Sequence, residues 1–77
     1  MNDKFAVIGL GLLGTGIARA LANRGAEVLA IDNDNQKVED IKEEVAHAVQ
    51  MDSTDDRALK GQNLQDMDAV VVAIGHN

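Results

Sequence analysis

Three glycines near the amino terminus have a spacing that could hold a phosphate group. Gly9, Gly11 and Gly14 form a G-x-G-x-x-G pattern directly after the apolar run 5–8. In such a pattern the first glycine allows a tight turn, the second lets the backbone approach a pyrophosphate, and the third lets a helix pack closely on a sheet. The alternative is a glycine-rich turn that only connects two packed elements, because the motif alone is weakly specific.

An acidic residue at the end of the next apolar run favours the phosphate-binding interpretation. Asp32 lies 18 residues after Gly14 and closes the run 27–32. A carboxylate in this place can accept hydrogen bonds from both hydroxyls of an adenosine-type ribose, and it would repel a 2′-phosphate. The predicted ligands are therefore NAD or NADH, ADP and ATP, and NADP is disfavoured.

Four apolar runs predict the strands that must position these residues. The runs span residues 5–8, 27–32, 48–51 and 68–74. Helical segments separate them, which predicts parallel pairing with right-handed crossovers. The predicted fold class is α/β, a Rossmann-like doubly wound parallel sheet with four strands in the order 3-2-1-4, truncated after strand 4.

Apolar periodicity predicts the helices between the strands. The first helix is expected to allow close packing at Gly16, and a third, brief helix is expected to be capped by Ser53 and Thr54. The expected apolar faces of the first two helices carry Leu13, Ile17 and Leu21, and then Val38, Ile41 and Val45.

The composition excludes several classes of protein. The chain has 77 residues, a formal net charge of −6, one aromatic residue and no cysteine. Nucleic-acid binding needs a basic face and usually aromatic side chains for stacking, so we expect none. No run approaches the ~18–20 apolar residues that cross a bilayer, so we expect no direct membrane insertion. The lack of cysteine and of a signal sequence predicts a cytoplasmic location.

The fourth run predicts that the chain is only part of a domain. Residues 69–74 are continuously apolar, yet the order 3-2-1-4 places them in an edge strand. Native edge strands are normally short, charged or bulged, and a continuous apolar run needs cover on both faces. We therefore expect residues 1–77 to be a single, incomplete domain that self-associates through this strand. An engineered fragment and a chain completed by a second chain both fit this pattern.

Longer segments of the sequence resemble a known family. Residues 5–41, "AHAVQMDST" and "DAVVVAIGHN" resemble the TrkA-N (KTN, or RCK) domain of potassium-channel and potassium-transporter regulators, and they are similar to KtrA-type regulatory subunits. The resemblance covers residues 5–77, but only the N-terminal, nucleotide-binding half of such a domain. It implies a regulator that binds NAD, NADH, ADP or ATP without catalysis. It also implies a homo-oligomer, from a dimer to an octameric ring, that gates a potassium-translocating membrane subunit from the cytoplasmic side.

The resemblance further implies a set of cofactor-binding residues, with no catalytic residue and no metal ligand. The set falls into a phosphate loop, a ribose group, an adenine edge and the strand-4 side. In that order, its members are Gly9, Leu10, Gly11, Leu12, Leu13 and Gly14; Asp32, Asn33 and Lys37; Asp52, Ser53 and Thr54; and Ala73, Ile74, Gly75 and Asn77.

The phosphate loop departs from the family pattern at two positions. The family often reads G-x-G-R-F-G, whereas this chain has Leu12 and Leu13 where the arginine and phenylalanine would stand. That arginine is associated with the terminal phosphates of ATP. A charge-assisted contact contributes roughly 1.5–3 kcal/mol, about tenfold or more in affinity. The departure therefore favours NAD(H) or ADP over ATP.

Two further functions are compatible with the sequence. One is the cofactor-binding half of an NAD-dependent oxidoreductase, which needs a substrate domain with an acid or base that these 77 residues do not supply. The other is a designed or minimised half-domain that folds without any ligand.

Overall fold

A parallel sheet of four strands forms the centre of the fold. The computed structural model describes residues 3–52, 54–55, 57, 60–62 and 64–74. The strand order is β3-β2-β1-β4, and every neighbouring pair is parallel. This confirms the predicted α/β, Rossmann-like class and its strand order. The strands are β1 (Lys4–Ile8), β2 (Glu27–Asp32), β3 (His47–Gln50) and β4 (Ala69–Val72).

The register of the sheet brings three strand ends to one edge. Ile8, the last residue of β1, lies opposite Ile31 of β2 on one side and Val72 of β4 on the other. The segments that follow these three strands therefore leave the sheet side by side. In open parallel sheets, ligands bind outside this carboxyl edge, where neighbouring connections diverge.

Helices cover one face of the sheet, and a second cluster covers part of the other. Helix α1 spans Leu12–Asn23 and helix α2 spans Asn35–Ile41, and a 3₁₀ turn spans Leu64–Asp66. The helices pack on a core that includes Val7, Val28, Ala30, Ala18, Val38 and Ile41. The opposite face buries Ala6, Ile8, Leu29 and Ile31 beside the partly buried Met51, Leu64 and Met67.

Helix α1 packs on the core through Ile17 and Leu21 of its predicted face, but not through Leu13. Leu13 is 69% exposed, Gly14 and Ala18 are buried, and Ile17 and Leu21 are only partly buried. The helix runs so close to the loop after β1 that only small residues fit between them. The expectation that Leu13 packs on the sheet was therefore wrong.

The two glycines of α1 differ in how closely other atoms approach them. A Cβ atom built on Gly14 would lie 1.8 Å from the Gly9 carbonyl oxygen, whereas one built on Gly16 meets nothing within 4 Å. Gly16 is exposed. The close approach thus occurs at Gly14, as its place in the glycine motif predicted, and the expectation that Gly16 also allows close packing was wrong.

Helix α2 is shorter than its apolar spacing predicted. It ends at Ile41, and the Glu44 amide donates to the Ile41 carbonyl oxygen at 2.8 Å, an i→i−3 bond that tightens the chain. Val45 still packs against the core, but from beyond the helix. Arg57 and Lys60 are helical, in the region where a third helix was predicted, and Ser53 lies outside the described residues.

Strand β4 lies at the edge of the sheet, as the sequence predicted. The Ala73 amide donates to the Ile8 carbonyl oxygen at 2.8 Å, so hydrogen bonding to β1 extends one residue past the strand. The side chains of Val70 and Val72 are exposed, that of Val72 by 65%. An exposed apolar edge of this kind is a template for pairing with further polypeptide.

Alanine at the two helical glycines should change stability in opposite directions. Gly14→Ala places a methyl group against backbone and should destabilise the fold by about 1–3 kcal/mol. Gly16→Ala removes a flexible residue from an exposed helix interior and should stabilise it by about 0.5–1 kcal/mol. Urea denaturation of both variants measures the difference, and equal effects would contradict the close contact at Gly14.

Candidate functional site

A cleft of about 420 Å³ opens at the carboxyl edge of the sheet. It lies between the ends of β1 and β2, the segment after β4, and the beginnings of α1 and α2. Its volume falls within the range of about 300–1,000 Å³ that is usual for small-molecule sites. The described residues that line it are Ile8, Gly9, Gly11, Leu12, Ile31, Asp32, Asn33, Lys37, Ala73 and Ile74.

Two of the three motif glycines are required by the fold itself. Gly9 has a φ of +99°, which side-chain-bearing residues rarely adopt, and a Cβ atom there would lie 2.9 Å from the Ala73 carbonyl oxygen. Gly14 packs against the Gly9 carbonyl oxygen, as described above. These two glycines hold the loop after β1 close to both β4 and α1.

The fold does not require the third motif glycine, Gly11. Its φ of −70° and ψ of −166° suit any residue. A Cβ atom there would meet nothing within 4 Å, and the residue lines the cleft. A side chain at Gly11 would therefore extend into space that the described protein atoms leave open.

Helix α1 begins at the cleft, and its first amides have no acceptor within the helix. Gly11 is the N-cap and offers no side-chain acceptor. The first helical hydrogen bond runs from the Thr15 amide to the Gly11 carbonyl oxygen at 2.9 Å. The amides of Leu12, Leu13 and Gly14 therefore have no hydrogen-bond acceptor within the helix. They carry the partial positive charge of the helix amino terminus.

The two amides before Gly11 already have acceptors. The Gly9 amide donates to the Ile31 carbonyl oxygen at 2.8 Å, and the Leu10 amide donates to Asp32 Oδ2 at 2.7 Å. The Thr15 hydroxyl donates to the Leu10 carbonyl oxygen at 2.9 Å. An anion in the cleft would thus meet the amides that follow Leu10, and Gly9 and Leu10 shape the loop.

Asp32 lies at the end of β2 and contacts two backbone segments. Besides the Leu10 amide at Oδ2, its Oδ1 accepts the Asp34 amide at 2.8 Å. Asp34 in turn caps α2, because its side chain accepts the Gln36 amide at 2.9 Å. The carboxylate therefore connects the loop after β1 with the beginning of α2, and it lines the cleft between them.

Asp52 follows β3 at the same edge of the sheet. Its Oδ1 accepts the hydroxyl of Thr54 at 2.7 Å and the Thr54 amide at 2.9 Å. These two hydrogen bonds, the hydroxyl first, hold the pKa of the Asp52 carboxyl below its usual value and so favour the ionised form. The Met51 amide donates to the Asp32 backbone oxygen at 3.0 Å, which ties this segment to β2.

The structure brings half of the sixteen predicted site residues to the lining of the cleft. Of the other described residues, Leu10 and Gly14 are buried and Leu13 is exposed, and these three, Asp52 and Thr54 are not part of the lining. Ser53, Gly75 and Asn77 lie outside the described residues. The predicted residues that line the cleft are Gly9, Gly11, Leu12, Asp32, Asn33, Lys37, Ala73 and Ile74.

Two lining residues, Ile8 and Ile31, were not expected from the sequence. Each directly precedes a residue of the predicted site, Gly9 and Asp32, and ends a buried apolar run. This position at the end of a strand is the sequence feature that could have identified both residues as part of the cleft lining.

The described segments contain neither a metal-binding cluster nor a membrane-spanning helix. They contain no group of three or more His, Cys, Asp or Glu residues placed to hold a metal ion. No helix among them has the length and apolar character needed to span a membrane.

The Thr54 hydroxyl should control the ionisation of Asp52. Because the hydroxyl favours the charged carboxylate, Thr54→Val should raise the pKa of Asp52 toward the ordinary value of 3.8, while Thr54→Ser should leave it low. An NMR titration of the Asp52 carboxyl measures both variants. An unchanged pKa in Thr54→Val would show that this hydrogen bond does not form.

Comparisons with known proteins agree with this architecture. The TrkA-N domain matches residues 5–77. Ktr system potassium uptake protein C of Bacillus subtilis is 48% identical over 77 residues, which cover 100% of this chain and 35% of that protein. Ktr system potassium uptake protein A of the same organism is 40% identical over 76 residues, covering 99% of this chain and 34% of that protein.

The chain is also similar to a protein from a second genus. Ktr system potassium uptake protein A of Vibrio alginolyticus is 35% identical over 74 residues, covering 96% of this chain and 34% of that protein. The chain thus spans about a third of the length of the curated relatives that it matches. The family match covers nearly every residue, and it includes both the glycine loop and Asp32. The chain belongs to the TrkA-N domain family.

Proposed function

We propose that this chain is the nucleotide-binding part of a cytoplasmic regulator of potassium uptake. It binds one adenine nucleotide and performs no chemistry on it. The names of the relatives support the potassium-uptake role, since three of them are Ktr system potassium uptake proteins. The cleft at the carboxyl edge of the sheet supports the proposal that the chain binds a nucleotide.

The observation that carries the proposal is Gly11. Packing and backbone conformation explain Gly9 and Gly14, but neither explains a glycine at position 11. A bound phosphate does explain it, because a phosphate can approach the backbone closely only where no Cβ atom stands in the way. The uncapped start of α1 supplies amide donors at that place.

The nucleotide lies across the cleft with each part next to a suitable group. Its phosphates contact the amides of Leu12, Leu13 and Gly14, whose partial positive charge attracts an anion despite the net charge of −6. Its ribose hydroxyls donate to Asp32, with Lys37 on the same side. Its adenine amino group extends toward Asp52, an ionised acceptor.

The outer rim of the cleft favours NAD, NADH or ADP over ATP. Leu12, which is 97% exposed, and Ile74 line the rim beside the start of α1. Lys37 is the one cation among the described lining residues, and it belongs to α2. A terminal phosphate beside Leu12 would therefore gain no charge-assisted hydrogen bond. Asp32 disfavours NADP, because it would repel a 2′-phosphate.

Regulation follows from a difference in nucleotide affinity between two arrangements of subunits. A ligand can shift such an equilibrium only by as much as it prefers one arrangement. The proposed assembly is a homo-oligomer, from a dimer to an octameric ring, docked on the inner face of a potassium-translocating membrane subunit. Residues 1–77 are the nucleotide-binding half of the domain in this assembly, and the exposed edge of β4 supports pairing with further polypeptide.

Alanine at Gly11 should remove nucleotide binding without unfolding the chain. Gly11→Ala meets no protein atom within 4 Å, but its methyl group enters the space proposed for phosphate. We expect affinity for NADH or ADP, measured by calorimetry, to fall about tenfold or more, which corresponds to about 1.4 kcal/mol or more.

Gly16→Ala is the matched control, since it adds the same methyl group to open space away from the cleft. It should bind like the wild type. The absence of heat for NADH, ADP and ATP with the wild-type chain would contradict the proposed function. Equal binding by Gly11→Ala and Gly16→Ala would contradict phosphate contact at Gly11.

The edge of β4 should drive concentration-dependent association of this chain. Val72→Lys places a charge on the exposed edge and should lower the average mass measured by light scattering at a fixed concentration. Ala20→Lys, at an exposed position of α1, is the control for added charge. A wild-type mass that stays monomeric at every concentration would contradict association through β4.

A further inference from the structure

Both oxygens of the Asp32 carboxylate accept backbone amides. Oδ2 accepts the Leu10 amide at 2.7 Å, and Oδ1 accepts the Asp34 amide at 2.8 Å. Leu10 is 22 residues distant in the chain and belongs to the loop after β1. A residue that contacted only a ribose would not need these two partners.

The hydrogen bond to Leu10 fixes the peptide that precedes Gly11. The Leu10 side chain is buried in the core at 3% exposure, and its carbonyl oxygen accepts the Thr15 hydroxyl at 2.9 Å. Its amide is held by Asp32, a side chain from the neighbouring strand. The loop that presents Gly11 is therefore held from the core, from α1 and from β2, and the last of these restraints is a negative charge.

The carboxylate retains capacity for a ribose while it holds the loop. A carboxylate offers about four acceptor sites on its two oxygens. Two are occupied by the amides of Leu10 and Asp34, which leaves about two for the two hydroxyls of an adenosine-type ribose. One side chain can therefore hold the loop and bind the sugar at the same time.

We propose that Asp32 is a positioning residue for the phosphate-binding loop as well as an acceptor for ribose. The inference rests on the proposed nucleotide-binding function and deepens it. Asp32→Asn is the discriminating change, because an amide has one acceptor oxygen and one NH₂ group. The NH₂ group would face the Leu10 or Asp34 amide, donor against donor, and one of the two hydrogen bonds would be lost.

The two roles predict opposite effects of Asp32→Asn on an anion that has no ribose. If Asp32 contacts only ribose, removal of its negative charge strengthens the binding of inorganic pyrophosphate, because a like charge has been removed from the site. If Asp32 positions the loop, pyrophosphate binds more weakly, because the amides at the start of α1 are no longer held in place. The sign of the change separates the two roles.

The experiment titrates inorganic pyrophosphate into ¹⁵N-labelled wild-type chain, Asp32→Asn and Asp34→Asn. Asp34→Asn removes the same charge two residues away and keeps a side-chain oxygen that can accept the Gln36 amide. We expect pyrophosphate affinity to fall about fivefold or more in Asp32→Asn and to stay equal or rise in Asp34→Asn. Affinity that is equal or higher in Asp32→Asn would overturn the proposal.

Hydrogen exchange tests the same restraint without any ligand. In the wild-type chain the Leu10 amide should exchange about tenfold or more slowly than the Leu12 amide, which has no intrahelical acceptor. In Asp32→Ala, which removes both acceptor oxygens, the Leu10 protection should be lost, while Ala30, in the middle of β2, stays protected. Fast exchange of Leu10 in the wild type would overturn the positioning role. Protected Leu10 in a chain that binds no nucleotide would instead contradict the proposed function alone.

Discussion

The hydrogen bond between the Asp32 carboxylate and the Leu10 amide is the contact on which the cleft depends. The register of β1 and β2 makes it possible, because Ile8 lies opposite Ile31 and the next residues leave the sheet together. The carboxylate then reaches across to the loop at the start of α1. A second hydrogen bond, from the Gly9 amide to the Ile31 carbonyl oxygen, also joins the loop after β1 to β2.

The three motif glycines have separate physical roles at this loop. Gly9 adopts a positive φ and lies against the backbone of Ala73, directly after β4, and Gly14 brings α1 onto the Gly9 carbonyl oxygen. Gly11 faces open space in the cleft. Two glycines thus form the loop, and the third leaves room for a ligand. An acidic chain can attract an anion here because the backbone dipoles at the start of α1 supply a local positive field, to which Lys37 of the cleft lining adds its charge.

The sequence was sufficient to predict the strands, their order and most of the cleft. Strand positions follow from apolar runs, and parallel order follows from their alternation with helices, so Gly11 and Asp32 could be placed at one edge without coordinates. The exposure of Leu13 could not be predicted, because the spacing that places Ile17 and Leu21 on the core puts Leu13 on the same helix face. The close approach of α1 to the loop after β1 decides which residues fit between them, since a Cβ atom built on Gly14 would lie 1.8 Å from the Gly9 carbonyl oxygen. The hydrogen bond between the Leu10 amide and Asp32 could not be predicted from the sequence either, because it depends on the path of the loop and not on residue type.

The central claim is that an adenine nucleotide lies between the start of α1 and the end of β2. A titration of ¹⁵N-labelled chain with ADP, followed by amide chemical shifts, tests it most directly. The account predicts that the largest shifts occur at Leu12, Leu13 and Gly14 and at Asp32 and Asn33, with small shifts at the opposite ends of β1 and β2. Unchanged spectra at millimolar ADP, or shifts centred away from these two segments, would contradict it.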